Sequence, residues 1–220
     1  MLYRFTWTLA FMTSLLSGAA VIDRIAVIVG KRAIKTSDID RELRVSSFLN
    51  RQPLNEGPDA RRKVAERLID QELVRQDLLN GQYSQPTEKD AGDFLQQFRR
   101  DRFGGSETHL RVDLERYGLT EEQLQRYFLW QLTVLRYIDQ RFRNGVVVTD
   151  EEVAAYYRQH RSELQTAYPQ NNGLEALAPK IRESMTGERI DQAFEEWLAE
   201  TRRGVQIEYR EQAFSGGPTR

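Results

Sequence analysis

Apolar and polar positions along this 220-residue chain change period at identifiable places. Ile22 to Val29 is a short β-branched run, Gly30-Lys31 is a two-residue turn with glycine where a positive φ is wanted, and Arg32 to Lys35 can return beside it. This predicts a β-hairpin. Two strands alone are marginal in water, so a third is expected. The other alternating stretch is Val205, Ile207 and Tyr209 with Gln206 and Glu208 between them, so the two ends of the chain should meet. Between these ends the period is helical, with helices near 37–50, 58–80, 87–101, 106–117, 120–143, 149–163 and 174–203, the last with a weak point at Thr186-Gly187. Thr149 with Glu152 and Thr120 with Gln123 have capping-box spacing, with Val148/Val153 and Leu119/Leu124 as staples; Thr87 with Asp90 is a weaker version. Ser37 before Asp38 is a plausible N-cap, and Gly204 after Arg202-Arg203 a helix stop.

Most helices carry one apolar face, as in Ala91, Phe94, Leu95, Phe98 or Ile190, Phe194, Trp197, Leu198. The stretch from Thr120 to Arg143 carries two. Leu124, Phe128, Leu135, Ile138 and Phe142 lie on one side, and Tyr127, Trp130, Val134 and Tyr137 on the other, an arc about twice the usual stripe. The second face is either core for a helix threaded between others, or an apolar groove or dimer interface of the kind that marks a binding surface.

The first twenty residues read differently. Arg4 is followed by an apolar run from Phe5 to Leu16 and then by small residues from Ser17 to Ala20, the order of a signal peptide. The run falls short of the roughly 20 apolar residues of a spanning helix. Cleavage before Ala20, or alternatively before Val21, is expected, against a retained anchor; about 200 residues would remain, enough for one or two domains. The chain has no cysteine, which excludes disulfides, thiolate metal sites and a lipid-carrying cysteine. Lys+Arg number 32 against 33 Asp+Glu, and loss of Arg4 takes the formal charge from −1 to −2, a balance that gives no case for nucleic-acid binding. Arg99, Arg100, Arg102, Arg141 and Arg143 lie among acids and glutamines and read as solvated helix faces.

Little in the sequence resembles catalytic machinery. His109 and His160 lack acidic or histidine neighbours at ligand or triad spacing, and Asp38 and Asp40 suit the first turn of a helix. There is no phosphate loop, nucleophile elbow or zinc-binding HExxH pattern. Neither an enzyme nor a cofactor is expected. The candidate contacts for a partner are Phe98, Phe103 beside Gly104-Gly105, Tyr127, Trp130 and Tyr137.

The segment Val21 to Gly30, followed by Ile34-Lys35-Thr36-Ser37-Asp38-Ile39, resembles the start of the SurA chaperone family. Arg67 to Val74 resembles that family's second helix, and Tyr117 to Leu124 its turn between helices. Val148 to Val153 with Tyr156-Tyr157 is similar to the segment that leads to a parvulin domain in SurA-like and PrsA-like proteins; Phe194 to Leu198, Arg202-Arg203 and Val205 to Tyr209 resemble the closing helix and strand. The resemblance implies a mainly α fold, a multi-helix peptide-binding chaperone domain with a small N-terminal hairpin completed by a C-terminal strand. With the signal peptide at 1–20, the expected organisation is a chaperone domain at 21–164, a short linker at 165–173, a helix and strand packing back at 174–210, and a disordered tail at 211–220. The linker stands where the isomerase should be and is far below the roughly 50 residues of a domain. The function implied is an ATP-independent periplasmic holdase for unfolded or nascent outer-membrane and secreted polypeptides, not stably inserted in the membrane once the signal is removed. A scaffold with a single envelope partner is the alternative, a homodimer through the aromatic face stays open, and prolyl isomerase activity is a third reading that the missing domain speaks against.

Overall fold

The structure is a computed structural model, and it describes residues 23–170 and 173–214. The expected signal peptide lies outside the described residues. The remainder is mainly helical: β1 (Ile25–Val29), β2 (Arg32–Lys35), α1 (Thr36–Asn50), α2 (Pro58–Asn80), α3 (Glu88–Phe103), α4 (Glu107–Arg116), α5 (Glu121–Phe142), α6 (Asp150–Gln159), α7 (Arg161–Ala167), α8 (Leu174–Gly204) and β3 (Ile207–Tyr209). Among the described residues, no helix is long and apolar enough to cross a membrane.

The hairpin and the returning strand form one antiparallel sheet in the order β2-β1-β3, with Val29 opposite both Arg32 and Ile207. Gly30 takes φ +58° in the turn, a value that costs a side chain and suits glycine. One face of the sheet is apolar: Val27, Val29 and Ile34 bury against Ile39 and Leu43 of α1, Ile69 and Leu73 of α2, Tyr137 of α5 and Leu198 of α8. The first and last strands pair there, and Arg202 of α8 pairs with Glu66 and with Asp70 of α2, the latter at 2.9 Å, while the Tyr209 hydroxyl donates to Glu66 at 2.6 Å.

A second cluster sits at the other end of α1, where Val45 and Phe48 meet Leu95 of α3, Leu110 and Leu114 of α4, and Leu124 and Phe128 of α5. A third joins Val153 of α6 to Leu177 and Ile181 in the first half of α8. Because α8 serves the third cluster with its first half and the sheet core with its second, it runs unbroken through the expected weak point at Gly187.

Thr87, Thr120 and Thr149 each accept the backbone N–H three residues on, and Asp90, Gln123 and Glu152 each return a bond to the capping residue's N–H. Ser37 is not the cap of α1. Lys35 flanks the helix, its N–H donates to Asp38 at 3.0 Å, and Ser37 sits in the first turn. There the Ser37 hydroxyl (2.7 Å) and N–H (3.1 Å) donate to Asp23.

Three expected boundaries shift. The helix expected over 149–163 breaks at His160, whose ring stacks on Tyr156 at 4.3 Å, and α7 continues to Ala167, which shortens the expected 165–173 linker from its start. The tail expected to be disordered from 211 is ordered over its described part: Glu211 to Ala213 form a 3-10 turn and Phe214 is buried under the Arg62 guanidinium, 5.4 Å from its ring, while 215–220 lie outside the described residues. Leu135, expected on the core side of α5, is 64% exposed, and Thr133 takes an inside place by donating its hydroxyl to the Leu129 carbonyl at 2.8 Å.

Candidate functional site

Residues of α5, α1, α2 and the edge strand β2 surround a cleft of about 380 Å³. Ala33 and Ile34 of β2 form one wall, Glu42 and Val45 of α1 and Leu68 and Glu72 of α2 the base, and Tyr127 and Trp130 of α5 the far side. The two aromatic residues are three apart, so they project from one face of the helix. Beyond Trp130 lies a second depression of about 420 Å³, lined by Leu78, Leu79, Leu129 and Thr133 and sharing Arg75, Arg126 and Trp130 with the first. Trp130 therefore stands between two hollows that follow α2, the first mixed in character and the second mainly apolar. Leu79, in the second, is 69% exposed.

The cleft's charges are arranged around its aromatic side. Glu72 is almost fully buried, accepts a hydrogen bond from Arg75 at 2.7 Å and lies 3.8 Å from Arg32. The same Arg75 guanidinium sits 4.5 Å over the Trp130 ring, a cation–π contact that also covers its face. Glu42 has its carboxyl pushed up by burial, opposed by Arg67 at 3.7 Å and by Arg41. The Tyr127 phenol is raised by burial and then by the Glu42 charge, so it stays neutral. The Trp130 indole N–H is buried without an acceptor among the described residues, where a donor normally finds one.

The five expected contact residues fall into three places. Tyr127 and Trp130 line the cleft. Phe98 and Phe103 belong to an aromatic cluster around Phe48, with ring centroids at 6.1 and 6.4 Å from it and Tyr117 at 5.8 Å. Both are half-buried, and Phe103 borders a depression of about 510 Å³ shared with Arg51, His109 and Tyr117. Tyr137 is not on a surface at all. It is fully buried, donates its hydroxyl to Asp77 at 2.9 Å, and packs on Tyr83 at 5.0 Å and Trp197 at 5.8 Å. Its phenol is pushed well above its ordinary value by burial and by the hydrogen bond to Asp77. The aromatic face of α5 is thus half-buried at Tyr127 and Trp130, which line the cleft, and closed at Tyr137, where Trp197 of α8 packs on it.

Glu72, Arg75 and Arg126 were not among the sequence candidates. A signal for two of them exists: Leu68, Glu72 and Arg75 fall at i, i+4, i+7, so charges occupy positions an apolar stripe on α2 would fill. Nothing on α5 distinguishes Arg126 in the sequence. His109 is exposed, and His160, contrary to expectation, does have an acidic neighbour, meeting Glu163 one turn on at 3.2 Å. Among the described residues there is no group of three or more acidic or histidine side chains placed to hold a metal.

Comparison with protein-family models and with curated proteins finds no match.

Proposed function

We propose that the chain is an ATP-independent holdase of the periplasm that receives unfolded envelope polypeptides in the cleft between β2, α2 and α5. The observation that carries this reading is a cleft in which Tyr127 and Trp130 face Val45 and Leu68 among charged side chains. Such a surface takes apolar and aromatic segments while its charges keep the loaded protein in solution. Binding the unfolded form removes it from the pool that aggregates, without nucleotide. The resemblance of the hairpin, second helix and closing helix to SurA-type chaperones supports the same reading, and the short connection between α7 and α8 leaves isomerase chemistry out of it.

The test is light scattering of a chemically unfolded outer-membrane protein diluted into buffer with residues 21–220. Suppression near equimolar ratio, extended to unrelated unfolded proteins, is the expected result. A folded, helical sample that suppresses nothing but retains one dominant partner would replace the holdase with a single-partner scaffold.

A further inference from the structure

The sheet order leaves β2 as an edge strand, and β2 is also a wall of the cleft. Register decides which of its backbone groups are open. The Ala26 carbonyl accepts from the Arg210 N–H at 2.8 Å and the Gly30 N–H donates to Gln206 at 2.9 Å, so the even-numbered residues of β1 turn their backbone groups to β3. Val27 and Val29 then turn theirs to Ile34 and Arg32. Ala33, opposite Ile28 and between those two pairs, directs its N–H and C=O away from β1 to the free edge. Among the described residues these groups meet no partner. The corresponding N–H at Lys35 is already taken by Asp38 at 3.0 Å.

Ala33 is exposed and lines the cleft that Tyr127 and Trp130 close on the far side. The acids of that cleft are matched internally: Asp38 by Arg41, Glu42 by Arg67, Glu72 by Arg75. Arg126 lines it too, with Glu122 one turn back on its own helix as its charge neighbour and no salt bridge to an acid of the cleft among the described residues.

We propose that the occupant of the cleft is an extended polypeptide segment that adds to β2 as a fourth strand, hydrogen-bonded to Ala33, with an apolar side chain against Trp130 and a carboxylate facing Arg126. This deepens the holdase reading and rests on it. An unfolded chain carries free backbone groups to match those of Ala33, and a folded helix does not. Because backbone pairing reads no sequence, it suits a protein with many clients. The strand is short and flanked by exposed Arg32 and Lys35, which discourages the edge from pairing with another copy of itself.

The test uses residues 21–220 and an end-blocked decapeptide alternating phenylalanine or valine with threonine and carrying one glutamate. Amide hydrogen exchange at Ala33, read by NMR, slows at least ten-fold when the peptide is saturating. Ala33→Pro removes the open donor while leaving the β1 ladder intact, and weakens peptide binding roughly five- to ten-fold, the effect of one hydrogen bond. Arg126→Ala weakens the glutamate peptide but not its glutamine counterpart. Unchanged exchange at Ala33 under a saturating peptide overturns the strand-addition proposal and leaves the holdase reading standing; a chain that neither binds the peptide nor suppresses scattering removes both. Slowing of Ala33 exchange with protein concentration alone would assign the edge to a second copy of the chain and overturn the proposal.

Discussion

Tyr137 offers a graded test of how α5 is divided between core and cleft. Its ring is fully buried between Tyr83 and Trp197, and its hydroxyl donates to Asp77 at 2.9 Å. Tyr137→Phe deletes only that donor. A hydrogen bond to a charged acceptor contributes about 1.5–3 kcal/mol. Asp77 keeps the Tyr83 hydroxyl at 3.2 Å and Arg141 at 3.1 Å, and a quarter of its side chain remains open to water, so the lower end, about 1.5 kcal/mol, is expected. Tyr137→Ala also empties the ring site and should cost about 3–5 kcal/mol. The assay is urea unfolding followed by circular dichroism, read as a shift of midpoint at constant slope. The phenol adds a sign. Its folded value is raised above the ordinary 10, so the stability it contributes is complete below pH 10 and is lost as pH rises beyond it. Tyr137→Phe should abolish that part of the alkaline loss. Aggregation suppression by Tyr137→Phe should match the native chain, since the residue is not in the cleft. A cost under about 1 kcal/mol for Tyr137→Ala in a natively helical protein would refute the core assignment.

Two further outcomes follow from the ends of the chain. Burial works upward on Asp23, but hydrogen bonds from the Ser37 side chain and N–H and from Thr36, with the charge of Lys35, outweigh it and hold the carboxyl below its usual range. Its contribution is therefore present above about pH 4 and lost as pH falls through the lowered value; Asp23→Ala should cost about 1 kcal/mol at pH 7 and much less at pH 2, measured by denaturant titration at both. Arg202→Ala leaves Glu66 and Asp70 of α2 without their cation and should cost about 1 kcal/mol, a modest figure because all three side chains are partly solvated. Faster amide exchange in β3 than in β1 should accompany it.

The elements of the fold were legible because their signals are local. A turn glycine, an alternating strand and a threonine three residues before an acid or glutamine each depend on neighbours a few positions away, and the hairpin, β3 and the capped starts of α3, α5 and α6 lie where those signals put them. The site was legible in half. The period of α5 identified two apolar faces, but which stretch of the second face stays open is set by α8, more than fifty residues away, and so Tyr137 was placed with Trp130 although it lies beneath α8. For the same reason the sequence offers Phe98 and Phe103 as partner contacts beside Trp130, whereas α4 and Phe48 draw them into a separate cluster. Leu135 and Phe214 show the opposite failure: one apolar residue is left outside where Thr133 satisfies itself on its own helix, and one in a polar tail is buried by a cation–π contact from α2.

The central claim is that Trp130 belongs to the surface that meets unfolded polypeptide. With residues 21–220 the tryptophans are Trp130 and Trp197, so Trp197→Phe leaves Trp130 as the sole reporter in the cleft. Its emission should shift when a tryptophan-free unfolded polypeptide is added and stay unchanged with the same polypeptide folded. An unshifted Trp130 in a variant that still suppresses aggregation would place client binding elsewhere on the molecule and contradict the account.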